Sequence, residues 1–383
     1  MSEAALPQVE RRGAGSAIAD RLFNLRNRVL ANERFQRWAA GFPLTRRVAQ
    51  RRTRTLFDLC AGFVYSQVLL ACVRLRLFDA LGAGAATPDE LALRLSLPLA
   101  AAARLLDAAA ALQLVERRRG GRFGLGVLGA ALRGNPGVAA MIEHHSLLYA
   151  DLRDPVALLR GEQTETALGQ LWPYAAGGQP AALTGQDVAA YSTLMAASQP
   201  LVAADVLAAH RLERHRCLLD VGGGDGTFLI AAAKAAPGLK LMLFDLPAVA
   251  ERARARFAEA GLADRTEAFG GDFRFDTLPD GADVISLVRV VHDHDDDTAL
   301  AILTAAWAAL PAGGTLLLAE PMAGTRQAEG VGAYFAFYLL AMGSGRPRET
   351  GELKAMLHTA GFAEVRIVPT RRPLLVRVLV AVK

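Results

Sequence analysis

Three glycines at alternate positions form the most informative motif of the chain. Gly222, Gly224 and Gly226 lie between the apolar run Cys217–Val221 and a second apolar run, Phe228–Ala236. Glycine lets the backbone close tightly on a ligand, and the first turn of a helix offers unpaired N–H groups to an anion. The pattern predicts a buried strand, a ligand-binding turn and a helix. A strand–turn–helix that binds nothing could use the same glycines, so this motif alone leaves that alternative open.

The residues beside the turn favour one cofactor over another. Thr227 stands where a dinucleotide-binding fingerprint has its third glycine, so the spacing departs from that fingerprint. Asp220, just before the turn, fits S-adenosylmethionine, whose ammonium and sulfonium suit nearby acids and carbonyls and whose carboxylate suits the turn. We therefore predict S-adenosylmethionine as the cofactor, with Gly222 and Gly224 at its methionine end.

Further candidate cofactor residues follow in order along the chain. Asp245 ends the apolar run Lys240–Asp245, where an acid can accept hydrogen bonds from both ribose hydroxyls. Asp272 can accept from an adenine amino group while Phe273 packs on the ring, although Gly-Gly-Asp is also an ordinary turn sequence. Arg289, at the end of the fourth predicted strand, completes this candidate set.

The segment His292–Asp297 has three interpretations. The acids Asp295–Asp297 are expected to cap a following helix over 298–310, because acids favour a helix N-terminus. The residues from His292 to Asp295 could ligate a divalent ion, but neighbouring strand residues point to opposite faces, and we predict no metal. His292 could be a general base, since an unperturbed histidine pKa near ~6.5 suits proton abstraction at neutral pH.

Composition and charge limit the class of protein. The 383 residues are ample for two domains, and 52% are apolar, which excludes wholesale disorder. Three cysteines without metal or disulfide spacing indicate a reducing compartment, and the N-terminus lacks the apolar core of a signal peptide. The longest apolar stretch, Leu59–Val73, is expected to be too short to span a bilayer. These features predict a cytoplasmic protein.

The N-terminal 57 residues form a basic arm. They carry twelve arginines and four acidic residues, a net charge of +8, whereas the whole chain has +5. Short helices are predicted around Ile18–Trp38, and arginines are interleaved with aromatic residues in Arg34–Pro43. This pattern favours peripheral attachment to an anionic membrane surface. A solvated tail, or an arm that wraps a partner subunit, remains the alternative.

Residues 58–205 are predicted to form a mainly helical domain. Leu56–Leu81 is apolar and helical in pattern, Thr87–Glu90 is a capping box, and Pro98–Leu114 is a further helix. Two short strands around Gly120-Gly121 complete the order of a winged helix. Beyond them, residues 135–205 are expected to be helical, with loops at 154–155 and 175–180.

Residues 206–383 are predicted to form an α/β domain with a doubly wound sheet. Apolar runs alternate with helical patterns, which is typical of that fold class. The predicted strands are 217–221, 240–245, 265–269, 283–290, 314–319, 364–368 and 374–382. The last two leave no room for a helix between them, so the final strand is expected to insert antiparallel, which favours a methyltransferase-type sheet.

Residues 58–383 resemble the plant-type O-methyltransferase family. The matching motifs are Leu218–Leu229, Phe244–Pro247, Gly271–Phe273 and Val291–Asp293. The resemblance implies a winged-helix dimerisation domain, a Rossmann-like class I methyltransferase domain and a homodimer.

The resemblance also implies catalytic roles. His292 would deprotonate the substrate hydroxyl, and Glu320 would orient that histidine. Pro347 stands where the family has a second glutamate, with Glu349 as a shifted candidate, and His294 stands where the family has tryptophan.

A narrower resemblance covers almost the whole chain. Phe63–Ala71, Tyr334–Met342, Gly345–Arg348 and the arginine-rich arm are similar to the carotenoid O-methyltransferases of purple phototrophic bacteria. That resemblance implies methylation of the tertiary 1-hydroxyl of an acyclic carotenoid, and the aromatic residues of Tyr334–Met342 suit so apolar a substrate. A polyketide, phenol or tetrapyrrole acceptor is the nearest alternative.

A regulator that binds DNA through the winged helix is the alternative from another class. The helix over 98–114 offers Arg104 as a base, opposed by Asp107. The hairpin arginines could touch phosphate without reading sequence. We therefore expect no nucleic-acid partner.

Overall fold

A computed structural model describes residues 14–172, 185–326 and 328–383. The chain divides into two compact units, of which the first ends at Ala71 and the second begins at Cys72. The loop predicted at 175–180 and the first 13 residues of the arm lie outside the described residues.

The first unit is helical. Helix α1 covers Ala14–Ala31, α2 covers Glu33–Gly41, and α3 begins at Pro43 and continues to Arg74. Asn32 separates the first two helices, because its side chain accepts the N–H groups of Arg34 and Phe35 and so caps α2. The helices predicted around 18–38 are confirmed. The boundary predicted between residues 57 and 58 falls inside α3, and that division of the chain stays a prediction.

Helix α3 contains the apolar stretch 59–73, which is predicted to be too short to span a bilayer. The helix around that stretch has 32 residues. Within the described residues, α3 is long and apolar enough to cross a membrane by length and composition alone. Core helices of soluble proteins meet the same criterion, so this property establishes no membrane span.

The second unit starts with the elements of a winged helix. They are α4 (Leu77–Ala80), α5 (Pro88–Arg94), α6 (Leu99–Ala111), β1 (Val115–Arg118), β2 (Arg122–Leu125) and α7 (Val127–Arg133). The capping box is confirmed: Thr87 accepts the N–H of Glu90, and the Glu90 carboxylate accepts the N–H of Thr87. The strands β1 and β2 pair antiparallel, as the hairpin signal predicts.

Within residues 136–172 and 185–209, four helices lead from the winged helix to the sheet. They are α8 (Pro136–Asp151), α9 (Pro155–Leu159), α10 (Ala167–Leu171) and α11 (Gly185–Ala209). The helical character predicted for 135–205 is confirmed in the described part. Asp154 and Pro155 start α9, because Asp154 accepts the N–H groups of Val156 and Ala157.

A seven-stranded sheet forms the rest of the second unit. Its strands are β3 (Cys217–Val221), β4 (Lys240–Asp245), β5 (Thr266–Gly270), β6 (Val284–Val288), β7 (Thr315–Glu320), β8 (Glu364–Val368) and β9 (Arg377–Val382). The order is β5-β4-β3-β6-β7-β9-β8, and β9 pairs antiparallel with both β7 and β8. The predicted insertion of an antiparallel last strand is therefore confirmed.

Helices cover both faces of the sheet. On one face α12 (Thr227–Ala235) and α13 (Pro247–Glu259) pack with α11, and on the other lie α14 (Asp296–Ala309) and α16 (Thr350–Thr359). Helix α15 (Glu329–Met342) packs instead against α8 and α10. Every residue of β3, β6 and β7 is buried, as expected for central strands with apolar residues on both faces. Alternate side chains enter two cores: Leu219 joins one and Leu218 the other.

The strand order places the candidate residues. From β3 the chain builds the sheet outward through β4 and β5, and then returns to the other side of β3 with β6. Ligands in open α/β sheets bind at such a reversal, beyond the carboxyl ends of the strands. The predicted glycine turn, Asp245 and the segment from Arg289 to Asp293 all follow strands at this edge.

Candidate active site

The glycine turn opens onto a cavity at the carboxyl edge of the sheet. Gly224 has a φ of +60°, and a Cβ at this position would have no heavy atom within 4 Å. The turn therefore presents bare backbone to open space. The N-terminus of α12 follows at Thr227, so its first N–H groups lie beside the turn.

Residues from six parts of the chain line this cavity. Of the seven predicted cofactor residues, Gly222, Gly224, Asp245, Phe273 and Arg289 are among them. Asp293 and His294 also line the cavity. The remaining lining residues were not predicted from the sequence: Trp172, Ser192, Met195, Ala196, Gln199, Gly223, Asp225, Thr227, Val249, Val288 and Val290.

Asp245 is fixed at the cavity wall by its own backbone contacts. Its side chain is buried, one carboxylate oxygen accepts the Gly224 N–H at 2.8 Å and the other accepts the Leu246 N–H at 2.7 Å. The carboxylate thus ties the glycine turn to β4. Each oxygen can accept a further hydrogen bond, so the arrangement suits a ligand that carries two neighbouring hydroxyls.

Asp220 is not among the residues that line the cavity. It is buried, the Ser286 hydroxyl donates to it at 2.6 Å, and a Cβ at Gly223 would lie 2.8 Å from its other oxygen. Burial raises the pKa of Asp220 to about 7, against the opposing Ser286 hydrogen bond and with help from the charge of Asp245. Its position makes it a support of the turn.

Asp272 is also absent from the cavity lining. Its carboxylate pairs with the Arg274 guanidinium, with contacts of 2.6 Å and 2.9 Å. Burial would raise the pKa of Asp272, but the hydrogen bonds and charge of Arg274 outweigh burial and lower it. A ligand amino group would have to share this carboxylate with Arg274.

An aromatic group closes the side of the cavity near Phe273. His294 lies between Phe273, at 5.3 Å between ring centres, and Trp172, at 5.7 Å. Burial, with the positive neighbours His292 and Arg274, lowers the pKa of His294 to about 4, so the imidazole is neutral. Neutral aromatic rings at a cavity wall suit contact with a nucleobase. The contribution of Trp172 has no local sequence signal, because it stands 122 positions from His294.

Arg289 binds helix α11 across the cavity. Its backbone has a φ of +58°, and its guanidinium donates to Ser198 Oγ at 2.8 Å, to Gln199 Oε1 at 2.7 Å and to the Met195 carbonyl at 3.2 Å. Met195 and Gln199 themselves line the cavity. Arg289 therefore holds the helix that forms the wall opposite the glycine turn.

His292 is held between two carboxylates. It lies in a short 3-10 turn after β6, is 8% exposed, and its Nδ1 is 2.5 Å from Glu320 Oε2. Its Nε2 is 3.1 Å from Asp293 Oδ1. Glu320 ends β7, and its other oxygen accepts the N–H groups of Val290 and Val291. The structure thus brings together His292 and Glu320, the two residues predicted to be catalytic.

These carboxylates decide the charge of the imidazole. Burial alone would lower the pKa of His292, but the negative charges of Asp293 and Glu320 and the Glu320 hydrogen bond outweigh burial and raise it. The pKa of His292 therefore lies above 6.5. The neutral imidazole, which is the form able to accept a proton, predominates only at pH values above that raised pKa.

The structure also places the residues of the remaining interpretations. Asp295 caps α14 by accepting the Thr298 N–H at 2.8 Å, which confirms the predicted helix start. Glu349, the shifted candidate for the second family glutamate, is exposed and caps α16 in a capping box with Glu352. Within the part of the chain that the structure describes, no group of three or more potential ligand side chains is arranged around a metal position.

Helix α15 places aromatic rings against His292. The Phe335 ring meets the imidazole edge to face at 5.5 Å. Tyr334 and Tyr338 stack on each other, and their hydroxyls bond to His145 Nε2 at 2.7 Å and His144 Nε2 at 2.8 Å. Because these hydroxyls are already paired within the protein, the wall beside the base suits an apolar ligand.

Comparison with known proteins matches the chain to O-methyltransferases. The family model of the O-methyltransferase domain matches residues 149–363, and that of the O-methyltransferase dimerisation domain matches residues 57–132. The demethylspheroidene O-methyltransferase of Cereibacter sphaeroides is 47% identical over 93% of this chain and 94% of its own length. The enzyme of the same name from Rhodobacter capsulatus is 44% identical over 94% and 89%.

Solved structures share the fold. The S-adenosylmethionine-dependent methyltransferase SibL, in its apo form, is similar with a TM-score of 0.71 and 25% identity over 86% of this chain and 98% of that chain. Human N-acetylserotonin methyltransferase, solved in complex with S-adenosylmethionine, has a TM-score of 0.69 at 23% identity over 87% and 97%.

The geometry of Asp245 generates a binding prediction. Replacing Asp245 by alanine removes the acceptor expected for two hydroxyls, and we expect a loss of about 2–3 kcal/mol in S-adenosylmethionine binding, the range of charge-assisted hydrogen bonds. Isothermal calorimetry measures the change. Asp283 is a matched control, because its carboxylate also accepts two backbone N–H groups, those of Arg216 and Cys217, but at the opposite edge of the sheet. Unchanged affinity in Asp245→Ala would contradict the assignment.

The contacts of His292 generate a pKa prediction. NMR titration should give His292 a pKa above 6.5, and Asp293→Asn should lower it because one of the two raising charges is removed. Asp295→Asn is the control, since the Asp295 carboxylate accepts the Thr298 N–H and not a proton of His292. Equal pKa values in Asp293→Asn and the wild type would show that Asp293 does not act on the imidazole.

Proposed function

The chain belongs to the O-methyltransferase family, and on this premise we propose that it methylates the tertiary 1-hydroxyl group of an acyclic carotenoid. It is an S-adenosylmethionine-dependent O-methyltransferase of carotenoid biosynthesis, with an N-terminal dimerisation domain that indicates a homodimer. The observation that carries the proposal is His292, which Glu320 holds beside an aromatic wall and which is followed in the chain by the cavity-lining residues Asp293 and His294. The acceptor is taken from the two carotenoid enzymes that the chain resembles along nearly its whole length.

The cavity suits the cofactor. Asp245 would accept the ribose hydroxyls, Phe273 and His294 would pack on the adenine, and the turn at Gly222 and Gly224 with the start of α12 would receive the methionine end. S-Adenosylmethionine supplies a methyl group already activated by its positively charged sulfur. The chain therefore has to position the acceptor oxygen and take its proton.

His292 would accept the proton of the acceptor hydroxyl at Nε2. Glu320 accepts the Nδ1 proton, so it fixes the tautomer that leaves Nε2 as the acceptor and stabilises the imidazolium that forms. Asp293 lies 3.1 Å from the same Nε2 and would yield this position to the hydroxyl. A tertiary alcohol is a weak acid, so proton loss is expected to accompany the transfer.

The supporting evidence for an apolar acceptor is the wall of α15. Phe335 touches the base, and Tyr334 and Tyr338 have their polar ends paired with α8. A phenol, polyketide or tetrapyrrole is the alternative acceptor. The DNA-binding alternative is weakened, because Asp107 of α6 pairs with the hairpin residue Arg117 at 2.7 Å.

Turnover tests this function. The purified enzyme with a 1-hydroxylated acyclic carotenoid and S-adenosylmethionine should yield the methyl ether by mass spectrometry. His292→Ala should lower kcat by about 10²- to 10⁴-fold, the usual contribution of a general base, with cofactor affinity unchanged. The control is His358→Ala. His358 lies on α16 and its Nδ1 bonds the Phe362 carbonyl oxygen, away from the proposed reaction. Turnover of phenols but not of the carotenoid would contradict the proposed substrate.

We further propose that the basic arm attaches the enzyme, otherwise cytoplasmic, to the surface of the inner or photosynthetic membrane. Four side chains of α1 support this: Ile18, Leu22, Leu25 and Val29 follow the spacing of one helix face and are 62%, 62%, 55% and 40% exposed. Such an apolar face beside arginines suits the boundary between head groups and acyl chains.

Helix α2 adds aromatic residues to the same unit. Trp38 is 52% exposed, and its ring stacks on Phe42 at 5.0 Å between ring centres. Arginines near an anionic surface contribute about 1 kcal/mol each, and tryptophan favours the interface. A carotenoid dissolves in lipid, so an enzyme held at the membrane meets its substrate there.

Vesicle sedimentation tests the arm. Deleting residues 1–41, which leaves α3 intact, should reduce sedimentation with vesicles containing phosphatidylglycerol and reduce turnover of membrane-dissolved carotenoid. Activity on detergent-solubilised carotenoid should remain. The double variant Leu22→Glu, Leu25→Glu separates the apolar face from the arginines and should also weaken binding. Equal sedimentation of the full-length protein, the truncated protein and the double variant would favour a solvated tail. If the truncated protein sediments as the full-length protein does but no longer has the mass of a dimer, the arm wraps the partner subunit instead.

A further inference from the structure

The loop between α15 and α16 lies against the turn that carries His292. The loop covers residues 343–349, and its Gly345 has a φ of +81°. A Cβ at Gly345 would stand 2.2 Å from the His292 carbonyl oxygen and 2.6 Å from the Asp293 carbonyl carbon. Only glycine permits so close an approach of the two backbones.

Two residues of the loop donate three hydrogen bonds to carbonyls of this turn. The Arg346 N–H donates to the His292 carbonyl at 3.0 Å. The Arg348 guanidinium donates to the Val291 carbonyl at 2.8 Å and to the His294 carbonyl at 2.8 Å. The carbonyl before His292, its own carbonyl and the one two residues later are therefore held from outside.

The turn needs this support because its own hydrogen bonds are long. The Asp293 N–H reaches the Val290 carbonyl at 3.2 Å, and the His294 N–H reaches the Val291 carbonyl at 3.4 Å. A three-residue 3-10 turn with such bonds has little stability of its own. The Glu320 side chain fixes the imidazole from one side, and the loop fixes the backbone from the other.

The Arg348 guanidinium is buried and paired on several sides. It is 2% exposed, and a buried guanidinium is costly unless all its donors are paired. Besides the two carbonyls, Arg348 bonds Asp296 Oδ1 through Nε at 2.9 Å and through Nη2 at 2.7 Å. Its planar fork spans both ends of the turn, and a lysine ammonium has no such fork.

We propose that Arg348, with Gly345, is a positioning residue for His292. The pair holds the turn so that Nε2 points to the acceptor hydroxyl, and neither residue touches the reacting atoms. This inference rests on the proposed general-base function of His292.

The chain offers a matched control. Arg346 also bonds Asp296, through Nε and Nη2 at 3.1 Å each, and Glu352 at 2.8 Å. Its contact with His292 is through the backbone N–H, which a substitution keeps. Arg346→Ala therefore removes an ion pair with the same acid and leaves the hold on the turn intact.

Steady-state kinetics of the full-length enzyme separate positioning from general stability. Arg348→Lys should lower kcat by about 10- to 100-fold, the cost expected of an ångström-scale misplacement, with KM and calorimetric Kd for S-adenosylmethionine within about 3-fold. Gly345→Ala should give the same split between kcat and KM. Arg346→Ala should stay within about 3-fold of the wild type in all these constants. A folded Arg348→Lys enzyme with wild-type kcat would overturn the proposal, and so would a parallel loss of kcat, cofactor binding and melting temperature in both Arg348→Lys and Gly345→Ala.

NMR titration of His292 keeps this test independent of the substrate assignment. If the imidazole moves away from Asp293 and Glu320, its pKa should fall in Arg348→Lys and stay unchanged in Arg346→Ala. A wild type that does not methylate the carotenoid would refute the proposed substrate while the pKa comparison still decides the role of Arg348. Identical pKa values in all three proteins would refute the positioning role.

Discussion

The buried carboxylate of Glu320 is the contact on which the catalytic end of the sheet depends. A charge at the end of a fully buried strand is costly, and this one is compensated by two backbone N–H groups and by the His292 imidazole. Those partners come from the segment that follows the neighbouring strand β6. The compensation therefore joins β7 to the catalytic turn and sets the orientation of the base in one arrangement.

Paired charged side chains also connect the elements on the cofactor side of the sheet. Asp245 ties the glycine turn to β4 through the Gly224 N–H, and Arg289 ties the end of β6 to helix α11. Asp245 ends β4 and Arg289 follows β6, and these two strands flank β3, where the strand order reverses. The cavity is thus enclosed by elements far apart in the chain, and the charges of Asp245 and Arg289 are paired within the protein.

The acceptor side has a different character, which matches the proposed substrate. Around His292 the wall consists of the rings of α15, with the tyrosine hydroxyls turned to histidines of α8. Polar groups are thus satisfied inside the protein and leave apolar surface for the ligand. The arm adds exposed apolar and aromatic residues beside arginines, so the proposed membrane attachment and the proposed lipid-soluble acceptor are parts of one explanation.

The sequence by itself determined the elements whose signals are local. The glycine turn, the buried strands, the Thr87 capping box and the antiparallel last strand were all predicted, because propensity, periodicity and short spacing encode them. The pairing of His292 with Glu320 followed from a family resemblance. Only the tertiary structure decided which distant side chains meet: Trp172 and Gln199 at the cavity, Asp293 at Nε2, and Arg348 on the catalytic turn. It also set Asp220 against the glycine turn and paired Asp272 with Arg274, away from the cavity lining. The physical reason is that such contacts depend on how helices and loops pack over the sheet, and side chains separated by tens of residues leave no pattern in a single sequence.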